Sequence, residues 1–76
     1  WRAFPTVLEA GESLQIQWLS SPSSLWNYEV YDARGRFIET AAGTGEWFSV
    51  STGSLASGLH FIRIQGTSES HRFWVY

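Results

Sequence analysis

In Leu25-Trp26-Asn27-Tyr28-Glu29-Val30-Tyr31-Asp32-Ala33-Arg34-Gly35-Arg36-Phe37-Ile38, large apolar and polar residues alternate up to an aspartate and resume after a glycine. Trp26, Tyr28 and Val30 recur at every second position, with Asn27 and Glu29 between them. This is the period-two pattern of a strand with one dry and one wet face. Asp32-Ala33-Arg34-Gly35 reads as the turn: an Asp side chain accepts backbone N–H groups ahead of it, and Gly takes the positive φ that closes a short hairpin. Arg36 to Thr40 then returns antiparallel to the first strand.

The same alternation extends in both directions. Ser13 to Leu19 places Leu14, Ile16 and Trp18 on one face, and Glu46 to Val50 points Phe48 and Val50 the same way. Ala41 to Gly45 and Ser51 to Gly58 are small-residue loops. Leu59 to Gln65 is apolar on both faces, as for a central strand covered on two sides. Gly66-Thr67-Ser68 turns it into a last strand, Glu69 to Val75. At the front, Phe4 to Leu8 is expected at an edge because Pro5 has no N–H to donate, and Glu9-Ala10-Gly11-Glu12 makes a hairpin into Ser13. About seven short strands with turn signals between them predict an all-β, immunoglobulin-like antiparallel sandwich of two sheets.

The 76 residues form one domain, 1–76, near the lower size limit for a single core. Five Trp, five Phe and three Tyr supply the burial such a chain needs. Trp18, Trp26, Tyr28 and Phe48 run in phase with aliphatic neighbours and read as core. Tyr31, Trp47, Trp74 and Tyr76 run out of phase and, if gathered, would make a binding patch for sugar or protein. With no cysteine there is neither disulfide nor thiolate ligand. A net charge of −2 with no lysine lacks the basic footprint of nucleic-acid binding. No apolar run approaches the length of a transmembrane segment. A chain that opens on Trp1 and contains no Met is expected to be a piece of a longer secreted protein.

Catalytic patterns are weak. Serines, His60, His71 and Asp32 could be composed into a triad, but no Gly-x-Ser-x-Gly elbow surrounds a serine. The two histidines lack metal-site spacing. Glu29, Glu39 and Glu46 read as outward, solvated carboxylates rather than a glycosidase pair. His60, in phase with Ile62 and Ile64, is expected half-buried with one ring nitrogen hydrogen-bonded. The expectation is a protein that is not an enzyme, with no catalytic residue, metal or cofactor.

Tyr28-Glu29-Val30-Tyr31-Asp32-Ala33-Arg34-Gly35-Arg36-Phe37-Ile38 resembles the hydrophobic-x-hydrophobic-Tyr-Asp-x-x-Gly-Arg-x-hydrophobic motif of the C-terminal sorting domains of type IX secretion cargo in the Bacteroidetes. Phe48-Ser49-Val50-Ser51 and Leu55-Ala56-Ser57-Gly58-Leu59-His60-Phe61-Ile62 are similar to that family's second block. His71-Arg72-Phe73-Trp74-Val75-Tyr76 is similar to its terminal strand, and Phe4-Pro5-Thr6-Val7 with Gly11 to Ile16 to its opening. The blocks stand in family order. Departures are a missing second proline, extra residues near Thr52-Gly53, His60 in place of Tyr, and a bulky Trp74 and Tyr76 ending.

The resemblance implies a non-catalytic signal domain, carried through the periplasm and recognised by the type IX outer-membrane translocon and its shuttle protein. It further implies delivery of the fused protein to the cell surface, where a sortase-like protease of the attachment complex commonly removes the domain and joins the cargo to anionic lipopolysaccharide. Some members keep the domain as a subunit of that complex. Asp32, Gly35, Arg36, Gly58, Arg72, Phe73, Trp74, Val75 and Tyr76 are the residues it nominates for recognition. Arg36 is expected either to reach a carboxylate with both arms or to cap the sheet surface, Gly58 to relieve a side-chain clash, and the last strand to offer a free sheet edge to a receptor or a strand-exchanged second copy. The alternative is a stand-alone carbohydrate- or protein-binding sandwich of the extracellular space.

Overall fold

The computed structural model describes residues 1–9, 11–18 and 26–76, and every element among them is a strand. In chain order these are β1 (Arg2–Phe4), β2 (Val7–Leu8), β3 (Ser13–Gln17), β4 (Trp26–Asp32), β5 (Phe37–Gly43), β6 (Trp47–Ser51), β7 (Gly58–Ile64) and β8 (Ser70–Val75). They form a three-stranded sheet, β1-β3-β6, and a five-stranded sheet, β2-β8-β7-β4-β5. This is a β-sandwich, with the two sheets burying their alternating apolar residues against each other. The Leu19 and Leu25 ends expected for two strands, and Ala10 of the first turn, lie outside the described residues.

The central hairpin forms as the alternation requires. β4 and β5 pair antiparallel from Trp26↔Gly43 to Val30↔Glu39, then shift by one residue so that Tyr31 faces Phe37. The bulge leaves Ile38 without an opposite residue and increases the local twist. β5 runs to Gly43, so the expected Ala41–Gly45 loop is mostly strand. Of its small residues, Gly43 has a packing reason: a Cβ there would collide with the six-membered ring of Trp26. Glu39, in register with Val30, stands on the inward phase rather than outward as expected.

The interior is built from Leu14, Ile16 and Val50 of the small sheet and Leu8, Trp26, Tyr28, Val30, Ile62, Ile64, Phe73 and Val75 of the large one. Trp18 and Phe48 are partly buried against it and join Trp26 in edge-to-face contacts at 5.8 and 5.4 Å. These geometries favour the ring quadrupoles as well as burial.

The N-terminal segment departs from expectation. Phe4 to Leu8 is not one edge strand but two pieces in different sheets: β1 pairs antiparallel with β3, and β2 pairs parallel with β8. Pro5, preceded by a cis bond, lies at the crossing. The Glu9–Glu12 turn, closed by Glu12 N–H to the Glu9 carbonyl at 3.0 Å, therefore joins two sheets rather than a hairpin. The remaining strand pairs are antiparallel.

Candidate functional site

Strand register carries the motif residues to one end of the five-stranded sheet. β4 ends there, β7 begins there and β8 finishes there: Asp32 pairs with His60, His60 with Phe73, Leu59 with Trp74 and Gly58 with Val75. The Asp32 to Arg36 turn stands above this end. An open cavity of about 230 Å³ lies between them, lined by Asp32, Ala33, Arg34 and Arg36 on one side and Ala56 to His60 on the other.

The turn is locked by its aspartate. Asp32 Oδ1 accepts the backbone N–H groups of Arg34 and Arg36, both at 2.9 Å, and Oδ2 accepts Arg36 Nε at 3.2 Å. The Asp32 N–H bonds the Arg36 carbonyl at 2.9 Å, and Gly35 adopts φ 81°, as its place in the turn requires. The Arg36 N–H, then that of Arg34 and the nearby guanidinium, hold the Asp32 carboxyl below the usual aspartate range despite opposing desolvation. The Arg36 side chain is 80% exposed, so this ion pair contributes little stability. The pair is made through Nε and not through the terminal amino groups.

Gly58 is required for its backbone and not for space: it has φ 128°, and a Cβ there would meet nothing within 4 Å. The expected clash is thus replaced by a conformational reason. His60 is fully buried rather than half-buried, at 3% exposed, and one ring nitrogen is hydrogen-bonded as expected: its Nδ1–H donates to the Gly58 carbonyl at 3.1 Å, and its ring stacks on Phe73 at 5.5 Å. The Asp32 carboxylate is used within its own turn and His60 Nδ1 on Gly58, so these two residues do not form a relay with serine. His71 packs against Trp1, their ring centroids 4.4 Å apart. Among the described residues no three His, Asp or Glu side chains group as metal ligands.

The terminal strand divides by phase. Phe73 and Val75 point inward and are 1% and 3% exposed, so in the folded domain neither can touch a receptor. Arg72, Trp74 and Tyr76 point outward. The expected free edge is corrected: β2 flanks the last half of β8, with Trp74 N–H bonding the Thr6 carbonyl at 2.7 Å and Tyr76 N–H the Leu8 carbonyl at 3.0 Å. Over its last residues, then, β8 offers a face rather than an edge.

That face is apolar at its centre. Val7, Trp74 and Leu59 form one cross-strand row, and Arg72, Phe61, Tyr31 and Phe37 the next. Trp74 and Tyr76 meet edge-to-face at 6.5 Å and are 43% and 66% exposed. The second cover expected over β7 is therefore only the neighbouring side chains, and Leu59 and Phe61 are half-buried. Beyond Tyr31, Glu29 accepts from Arg63 at 2.8 Å and from the Tyr31 hydroxyl at 3.0 Å. The Arg63 hydrogen bond first, then that of Tyr31, draws the Glu29 carboxyl down; the bond to Glu29 raises the Tyr31 hydroxyl. Val7, Leu59, Phe61 and Phe37 were not nominated from sequence, because periodicity does not show which strand lies beside which.

The four out-of-phase aromatics do not gather in one area. Tyr31, Trp74 and Tyr76 share this face, whereas Trp47 stands on the other sheet beside Phe4. No protein-family model matches the chain, and comparison with curated proteins and with solved structures returned no match.

Proposed function

We propose that the domain is a non-catalytic sorting signal, read by the type IX secretion machinery for outer-membrane translocation and surface attachment of a protein fused to it. The observation that supports this reading is the convergence of three of its motif segments. The Asp32–Arg36 turn, the Gly58 entry into β7 and the last residues of β8 are distant in sequence, yet meet at one end of one sheet. A receptor would then contact the rigid turn with its exposed Arg36, and the Trp74 and Tyr76 rings on the adjoining face. Exposed aromatic anchors beside an arginine are the composition of a binding hot spot.

Phe73 and Val75 act at one remove, by holding β8 in place. Deleting Arg72 to Tyr76 would remove them with the exposed rings, so loss of export in that deletion could reflect unfolding. The sharper test fuses residues 1–76 behind a periplasm-targeted reporter in a type IX-competent bacterium. The parent fusion should reach the surface, and the Trp74→Ala/Tyr76→Ala pair should stay in the periplasm with its circular dichroism and melting unchanged. A parent fusion retained in the periplasm, or a folded double variant delivered normally, defeats the proposal.

A further inference from the structure

The outer face of the three-stranded sheet, on the opposite side of the sandwich, has a chemistry of its own. Register sets Arg2, Gln17 and Trp47 in one row across β1, β3 and β6, and Phe4, Gln15 and Ser49 in the next. Trp47 is 53% exposed, and its ring meets that of Phe4 at 5.5 Å and 73°. Its Nε1–H donates to Gln15 Oε1 at 3.1 Å, and the Ser49 hydroxyl donates to the same oxygen at 2.8 Å. The indole is thereby oriented, and neither bond uses the Gln15 amide nitrogen.

Arg2 is held from two directions. Its Nε donates to Gln17 Oε1 at 2.9 Å, and its guanidinium carbon lies 4.9 Å from the Phe4 ring centroid. Neither contact uses the two terminal amino groups, the pair that forks onto a carboxylate. No Asp or Glu occurs anywhere in β1, β3 or β6. The face thus combines one oriented indole, amide and hydroxyl groups, and one fixed cation that has no acidic partner among the described residues.

From this arrangement we infer that the outer face of the small sheet binds an acidic polysaccharide, a chain of pyranose rings bearing uronate carboxylates. A pyranose presents C–H groups on its ring face and hydroxyls at its rim. The first matches the exposed indole of Trp47, the second the Gln15, Gln17 and Ser49 groups, and a carboxylate on the same or the next ring matches Arg2. Strand spacing puts Arg2 and Trp47 roughly 10 Å apart across Gln17, which leaves room for both contacts along one chain. A phosphate backbone is a poorer fit, because one arginine on a chain of net charge −2 does not supply the several cations such a ligand needs. The inference does not rest on the sorting reading.

The test titrates the 76-residue chain with galacturonate hexamer, and with cellohexaose as the neutral comparator, at low salt, following heat and Trp fluorescence. The acidic hexamer should bind saturably with a Kd of about 1 mM or tighter. Arg2→Gln should bring the acidic hexamer down to the neutral one, and Trp47→Ala should weaken both by about 10-fold or more. Trp74→Ala, on the other sheet, should bind as the parent does. Should Trp47→Ala lose its fold, Gln15→Ala and Arg2→Gln carry the test. No saturable binding by about 10 mM, equal binding of the two hexamers to the parent, or parental binding by a folded Arg2→Gln or Trp47→Ala variant overturns the inference.

Discussion

Gly58 and Gly43 are both indispensable glycines, for opposite reasons. At Gly58 there is open space but a φ of 128°, so Gly58→Ala should lose roughly 1–3 kcal/mol through backbone strain alone. At Gly43 no positive φ arises, but the Trp26 ring occupies the side-chain position, so Gly43→Ala should lose a comparable amount, about 1–3 kcal/mol, through overpacking. Urea titration of both variants separates the causes when combined with Trp26→Phe: the smaller ring should lessen the Gly43 penalty and leave that of Gly58 unchanged. Alternation and turn chemistry made Gly35 and Asp32 legible, because both act through local backbone. Gly43 was not legible, because its partner lies across the strand pair. Thr52 is a similar case: it sits in a Ser- and Gly-rich loop, yet it is 2% exposed and its hydroxyl donates to the Glu12 carbonyl at 2.6 Å. Titration belongs to this scale too. Asp32 and Glu29 have folded-state pKa values below their unfolded ones, so each contributes stability above its unfolded pKa that is lost as pH falls through the folded one. The urea midpoint should therefore drop on acidification below about pH 4, the ordinary carboxylate range. Glu29→Gln should flatten that slope.

Among the elements, β3 and β4 were readable because each alternates over at least five residues, and β7 and β8 because apolar runs stand on either side of the Gly66-Thr67-Ser68 turn. The β4–β5 and β7–β8 hairpins followed from the turns between them. The front of the chain was not readable. Val7 and Leu8 make only a two-residue strand, and its partner β8 lies at the far end of the sequence. Neither periodicity nor turn chemistry reports a parallel pairing of that span. The exposed apolar face went unseen for the same reason: a run such as Leu59 to Ile64 looks identical whether a second layer or only neighbouring rings cover its outer side. The split of β8 by phase predicts a contrast between adjacent residues. Phe73→Ala should cost about 3–5 kcal/mol, a large share of the roughly 5–15 kcal/mol total of a typical domain, whereas Trp74→Ala should stay near the small effects of surface substitutions. Thermal melts of the two variants check this directly.

At the scale of the whole molecule, one core supports two outer faces of different composition. The large sheet presents Trp74, Tyr76, Phe61 and Phe37 beside the Asp32 turn, and the small sheet presents Trp47 and Arg2 among amides and hydroxyls. The sandwich itself followed from strand count and patterning, but the separation of Trp47 from the other exposed aromatics required the sheet order. The two faces should be independent, with Trp47→Ala leaving reporter export intact and Trp74→Ala/Tyr76→Ala leaving hexamer affinity intact. The parallel union of β2 with β8 also gives the domain a mechanical character. Tension between Trp1 and Tyr76 would load β1 against β3 and then draw β2 lengthwise along β8, bearing on the Thr6–Trp74 and Leu8–Tyr76 bonds together instead of one after another. Two parallel bonds under shear share the load, whereas two pulled apart in sequence would each bear it alone.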